Sequence, residues 1–272
     1  MIKTDCALGF CAWRKLGDVI ASIYALGYHE NIEAKSIAPP FLTDLRTTVF
    51  ARAFSGDKNI AIFLGRPPRM SKKFAYFQIP LARVNSESEE FPQDHDVAAQ
   101  AWDPASKMSY RAETCWSALC ALVKEDILEL LYSGHRNDSA KIRYALKALV
   151  FIEAHNRSEI SRRTDEQWQA LPAHFRLEGN LNGCTTSPFE RDFLLSTRLN
   201  HLQVKFLLRF VLLDSLAQPD EVIVTIAQQM LSLVVEGILL REDLANSGTG
   251  LIWKVLSFRH PNHQWSMLTM IR

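Results

Sequence analysis

Between Tyr110 and Leu131 the apolar residues Trp116, Leu119, Cys120, Val123, Ile127, Leu130 and Leu131 step along the chain by threes and fours. That stepping keeps one face of a 3.6-residue helix apolar, whereas a half-buried strand would alternate. The same period returns along most of the chain. Trp13, Leu16, Ile20, Ile23 and Tyr24 predict a first helix to about Ala25, ended by Gly27 and His29. A second helix follows Pro39-Pro40 and runs through Leu45, Val49 and Phe50, with Gly56 as the point of expected kinking or weakness. Asn137 or Asp138 caps a helix with Ile142, Leu146, Leu149 and Val150 on one face, and Trp168 and Leu171 anchor a short helical turn stopped by Pro172. Ser187-Pro188-Phe189-Glu190 unites three start signals: a capping serine, a first-turn proline, and a glutamate placed to close a capping box. Phe193, Leu194, Thr197, Leu202, Phe206, Phe210 and Leu213 continue that helix, and Pro219-Asp220-Glu221 opens another bearing Ile223, Ile226, Met230, Leu233 and Val234. Strand-like alternation is scarce and no internal repeat occurs. The expectation is an all-α, multi-helix domain with Trp13, Phe50, Phe54, Trp116, Phe206 and Phe210 in its core.

The second helix has an unusually explicit stop. The apolar run Ile60-Ala61-Ile62-Phe63-Leu64 ends at Gly65, which can take the left-handed conformation that satisfies the last carbonyls. Pro67 and Pro68 then forbid continuation, and Arg66 and Arg69 place positive charge near the negative helix end. Beyond it, residues 82–107 are polar and acidic (Asn85-Ser86-Glu87-Ser88-Glu89-Glu90, then Pro92, Asp94, Asp96, Asp103 and Pro104) and read as a surface linker.

The ordered set Leu45-Arg46, Phe50, Phe54, Asp57-Lys58 and Leu64-Gly65-Arg66-Pro67 resembles the core of the fungal-specific transcription factor domain, the middle homology region of zinc binuclear cluster regulators. Ala25-Leu26-Gly27-Tyr28-His29 is similar to that family's Ala-Leu-Gly-Leu-His segment, with Trp13, Leu16 and Gly17 suitably placed before it. Trp168, Leu171 and Pro172 match its Trp-x-x-Leu-Pro link, and Asn200-His201-Leu202 with Phe206-Leu207-Leu208 matches its long apolar helix. Gly56 departs from the family, which more often has a large apolar residue there. The resemblance runs from about Trp13 to Val255 and implies a regulatory domain over residues 1–258, incomplete at both ends, with an atypical tail over 259–272.

Composition limits the function classes. Thirty-one basic against 30 acidic residues give a net charge of +1, so no global basic field draws the chain to nucleic acid or an anionic membrane. The five cysteines (Cys6, Cys11, Cys115, Cys120 and Cys184) form no dense framework. Members of the Cys6/Cys11 and Cys115/Cys120 pairs stand five positions apart, roughly 140° around a helix, so neither pair shares a face. They read as small core residues. A binuclear zinc cluster needs six cysteines opened by C-x-x-C pairs, and no C-x-x-C occurs. Zinc is therefore expected only in an intact family member, and no cofactor is expected here.

Asp94-His95-Asp96 reads as a solvated loop, and His260-Pro261-Asn262-His263 as a flexible terminal segment. Arg66, Arg69, Lys72 and Lys73 form a basic patch read as a solvated face. The apolar stretches near 204–213 and 230–240 are interrupted by Lys205, Arg209 and Glu236, so no membrane span is expected. No nucleophile elbow, phosphate loop or dinucleotide fingerprint is present, and the chain reads as a non-enzyme. The resemblance implies transcription regulation in the nucleus (or the cytoplasm for a truncated product). The partners it implies are other transcription regulators or coregulators and a small-molecule effector, with DNA reached only indirectly. The alternative is a stand-alone helical protein-interaction or small-ligand module that competes with a full-length relative. In either case Asp57, Lys58, Gly65, Arg66, Pro67, Pro68, Trp168, Leu171 and Pro172 are expected to act structurally.

Overall fold

The structure is a computed structural model and describes residues 2–31, 38–80, 101–133, 145–185, 187–211, 221–245, 258–260 and 263–265. The expectations at Asn137, Asp138, Ile142, Leu213, Pro219-Asp220 and residues 82–100 lie outside the described residues, as does the side-chain face of Leu146, Leu149 and Val150. Six α-helices are present among the described residues: α1 Ile2–Ala25, α2 Pro40–Leu64, α3 Tyr110–Ser133, α4 Ala145–Ala170, α5 Pro188–Val211 and α6 Glu221–Leu239. The protein is mostly helical, as the periodicity predicts. A small antiparallel hairpin departs from it: β1 Phe258–His260 pairs with β2 His263–Trp265, with His260 opposite His263. The segment expected to be a flexible terminus is therefore flanked by paired backbone.

The chain divides into two compact units. Unit 1 comprises Met1–Leu122 and Ser257–Ser266, and unit 2 comprises Val123–Leu256 and Met267–Arg272. The division falls within α3. In the described end of the expected surface linker, Pro104, Ala105 and Lys107 are exposed while Ala101, Trp102 and Ser106 are buried. Trp102 is a large apolar side chain inside an otherwise polar stretch, and burying it outweighs its neighbours' preference for water.

In unit 1, Ile20 and Ile23 of α1 and Phe50, Ala53 and Phe54 of α2 share one core with Met70 and Ala121. Phe77 meets the rings of Phe50 and Phe54 edge-on, at centroid distances of 5.6 Å and 4.6 Å. Such pairs contribute about 0.5–1.5 kcal/mol beyond area burial. α2 starts with Pro40 in its first turn and passes Gly56 as one continuous helix. The expected weakness at Gly56 does not materialise, because neighbouring Phe54, Ser55, Asp57 and Lys58 are all buried and hold the turn in place.

In unit 2, α5 is buried on almost every side, from Asp192 through Phe210. α6 packs on it with the expected Ile223, Ile226, Met230, Leu233 and Val234 inward. At the start of α5 the serine half of the predicted capping box forms, with Glu190 N–H donating to Ser187 Oγ at 3.4 Å. The glutamate half does not: the Glu190 carboxylate accepts from the Thr185 hydroxyl, and Ser187 N–H donates to Thr185 Oγ1 at 3.2 Å. A nearby hydroxyl able to donate and accept at once takes the place of the reciprocal bond.

Two further expectations change. Trp13 is half-buried rather than core, and Cys11 and Cys184 are exposed while Cys115 and Cys120 are buried as expected. By length and composition alone α6 is long and apolar enough to cross a membrane even with Glu221 and Glu236 in it, and its inner face is packed on α5.

Candidate functional site

The stop at the end of α2 builds a multiply hydrogen-bonded side-chain cluster in unit 1. Gly65 takes the left-handed conformation, φ 61° and ψ 40°. Its N–H donates to the Ile62 carbonyl at 3.3 Å and the Arg66 N–H to the Ala61 carbonyl at 3.0 Å, the reciprocal pair of a Schellman ending. The chain then turns back along α2. Pro67 and Pro68 carry no N–H and so need no acceptor during this passage. Arg69 and Met70 arrive level with Asp57, one of the few carboxylates in the interior. The Arg69 N–H lies 3.0 Å from both Asp57 oxygens, and the Met70 N–H donates to Oδ2 at 2.9 Å. Lys58 Nζ stands 3.2 Å from Asp57 Oδ2, donates to the Met70 carbonyl, and sits 4.1 Å from the Phe54 ring centroid. Lys58 is wholly buried and Asp57 is 3 % exposed.

Asp57 and Lys58 thus pair with each other and with the returning backbone. The pair costs desolvation, and charge-assisted bonds to backbone groups that would otherwise be orphaned offset that cost. The Asp57 carboxylate thus bolts the returning backbone amides and the Lys58 ammonium to α2.

The basic patch is also more ordered than a solvated face. Arg69 Nη1 donates to the Trp13 carbonyl at 2.9 Å, and its guanidinium lies 3.5 Å from the Trp13 ring centroid. Arg66 lies 4.6 Å from the same ring. Both arginines tie α1 to the end of α2, and Trp13 is the platform that receives them, which is why it is not a core residue. Gly17, one turn after Trp13, makes room for this contact: a Cβ there would stand 1.8 Å from Arg69 Nη1. Helix propensity alone would make Gly17→Ala stabilising by about 1 kcal/mol. The expected result is no gain, or a net loss, in urea-unfolding free energy; a full 1 kcal/mol of stabilisation would show that the arginine seat contributes nothing.

Trp168, Leu171 and Pro172 belong to unit 2 and do not join this cluster. Trp168 occupies the last turn of the 26-residue α4 rather than a short isolated turn. Its ring stacks on His201 of α5 at 4.3 Å and an interplanar angle of 18°, and the Arg198 guanidinium lies 5.2 Å from it. Leu171 and Pro172 are buried, and Pro172 leads into a 3-10 turn, Ala173–Phe175, whose Phe175 meets Phe193 edge-on at 4.8 Å.

Next to this stack along α5 lies a buried polar set. Lys124, 1 % exposed, donates from Nζ to Gln203 Oε1 at 2.7 Å and to Asn200 Oδ1 at 3.3 Å. Burial, with help from the positive charges of Lys205 and Arg198, pushes the His201 imidazole down to about 3. His201 is therefore neutral at physiological pH, suited to stacking and not to proton transfer. A sequence signal for Lys124 existed: it stands four residues after Cys120 and three before Ile127, inside the apolar stripe of α3.

Among the described residues no three His, Cys, Asp or Glu side chains gather as metal ligands. The described cysteine side chains sit on α1, on α3 and beside the Leu181–Gly183 turn, and the sequence holds no C-x-x-C, so these residues do not fit a binuclear zinc cluster. Comparison with family models, with curated proteins and with solved structures finds no match to the chain.

Proposed function

We propose that this chain is the regulatory helical region of a fungal transcription regulator, acting in the nucleus through contacts with other regulators and through response to a small-molecule effector. The observation that carries the reading is the Asp57–Lys58 bolt. Asp57, Lys58, Gly65, Arg66, Pro67 and Pro68 are the residues on which the resemblance rests, and each has a distinct physical task in one cluster. Asp57 and Lys58 are buried, Gly65 caps the helix and Arg66 lies over Trp13, so the residues that carry the resemblance support a single chain reversal. Near-neutral charge and the lack of a zinc-cluster cysteine pattern favour action on proteins over direct contact with DNA.

A regulatory region of this kind restrains a linked activator. Fused between a heterologous DNA-binding domain and an activation domain, the chain is expected to lower reporter output several-fold, and Asp57→Ala is expected to release that restraint at equal protein level. Output equal to that of the fusion without the chain would count against the reading.

A further inference from the structure

α5 reaches water along a single line. From Arg191 to Phe210 every residue is buried except Arg191, Arg198, Lys205 and Arg209. Their spacing of seven, seven and four keeps them within an arc of about 40°. Leu195 and Leu202 share that side of the helix and are buried. α6 closes on it there, since a Cβ at Gly237 would stand 2.9 Å from Leu195 Cδ2. Every opening of this seam is therefore basic.

Two of the four cations are engaged. Lys205 Nζ stands 3.3 Å from Asp165 Oδ1, and Arg209 has an interaction of its own. Arg191 and Arg198 differ. Arg191 Nε is shielded from water and has no acceptor. The Arg198 guanidinium lies 5.2 Å from the Trp168 ring centroid, and burial pushes it below its ordinary value. Among the described residues neither arginine has a carboxylate partner. The carboxylates beside the seam are occupied: Glu190 accepts from the Thr185 hydroxyl, and Glu236 accepts from the Leu181 N–H at 3.0 Å. Asp192 is buried about 100° further round α5. A half-buried guanidinium without an acceptor gives up hydration and receives no charge-assisted bond in return. Arg191 bears a further cost, because the positive end of the helix dipole disfavours a cation in the first turn. A seam that only had to be wetted would take either sign of charge, with acid at that end. Cations in every opening, two of them uncompensated, call for an anion from outside the chain.

The spacing indicates its form. Arg191 and Arg198 stand about 10 Å apart along the axis, the rise of seven helical residues. A second helix laid along the seam with acidic residues seven apart would offer each guanidinium a carboxylate, which its planar fork accepts in a bidentate way. A continuous polyanion fits less well. The net charge of the chain is only +1, and Asp165, Glu190 and Glu236 border the seam and would repel a nucleic-acid backbone. We propose that the Arg191–Arg198 seam of α5 binds an acidic helical segment of a partner protein through carboxylates spaced by seven residues.

Fluorescence anisotropy at low ionic strength tests this with the full chain and a labelled alanine-rich peptide of three heptads, bearing one glutamate in each. No transcription is involved, so the outcome is separate from that of the reporter fusion. Saturable binding with a dissociation constant of about 100 µM or tighter is expected. Arg191→Gln with Arg198→Gln is expected to weaken it at least ~10-fold while the circular dichroism spectrum stays unchanged. Two further arms leave the protein untouched. Replacing the peptide's glutamates by glutamine, or moving the middle one to the opposite face of the peptide helix, should each weaken binding at least ~10-fold. No saturation by ~1 mM peptide overturns the proposal. So does equal affinity of the double variant, of the glutamine peptide or of the rearranged peptide. Tighter binding of a single-stranded oligonucleotide of equal charge at the same salt overturns it in favour of nucleic acid.

Discussion

Asp57→Ala is expected to lower the unfolding free energy of the chain by about 3–5 kcal/mol, measured by urea titration. Three consequences of removing the carboxylate act together. The wholly buried Lys58 ammonium loses its counter-charge at 3.2 Å. The Arg69 and Met70 N–H groups lose their acceptor. The turn after Gly65 loses the anchor that holds it against α2. An unpaired buried charge dominates the sum, and each orphaned amide adds about 1–3 kcal/mol before relaxation. Lys58→Met separates these effects. It removes the ammonium and keeps the aliphatic stem over the Phe54 ring, and the Asp57 carboxylate, though it loses its counter-charge, still accepts from both backbone amides, whose charge-assisted bonds compensate it in part. Its expected cost is therefore clearly smaller than that of Asp57→Ala. Equal costs for the two would mean that the salt bridge, and not the backbone capping, carries the cluster.

Stability is expected to fall steeply in mild acid, and His201 supplies an identifiable part of the fall. In the unfolded chain the imidazole takes up a proton near its ordinary value of 6.5, whereas in the folded chain burial delays uptake to about 3. Between these values the unfolded state binds more protons, so folding weakens as pH drops. The contribution is fully present above pH 6.5 and is lost progressively as pH falls toward 3, up to roughly 5 kcal/mol. His201→Phe keeps a ring for the Trp168 stack and removes the titration. Relative to the wild type, the variant should therefore gain roughly 3 kcal/mol on going from pH 7 to pH 4. Parallel pH curves for the two proteins would place the acid sensitivity elsewhere.

Much of the helical framework is legible in the sequence, and the physical reason is periodicity. α3, α5 and α6 each carry long three-and-four stepping. α2 has proline at one end and a Gly-Arg-Pro-Pro stop at the other, so its limits follow from backbone chemistry alone. What periodicity does not reveal is which polar residues go inside. α5 is buried nearly all round, so Asn200, His201 and Gln203 enter the interior with Leu199 and Leu202. Partners decide their burial: Lys124 from α3 and Trp168 from α4 arrive from far away in sequence. The Asp57–Lys58 cluster was half-legible. The residues stood out, but their partners are backbone groups twelve and thirteen positions on, reached only after the chain reverses at Gly65. Trp13 was misplaced for a related reason. A large aromatic residue on the periodic face of a helix predicts core, yet two arginines from another element need a ring to lie on.

Amide hydrogen exchange at Arg69 and Met70 tests the central claim most directly, namely that the Gly65–Met70 reversal is bolted to α2 by Asp57. Both residues lie outside regular helix, where backbone amides ordinarily exchange through small local openings. With the bolt in place, both amides should be protected to the level of the buried α2 amides around Phe54, and Asp57→Ala should abolish that protection while Phe54 in the folded population keeps its own. Exchange at Arg69 and Met70 as fast as in an exposed loop of the wild-type protein would contradict the account.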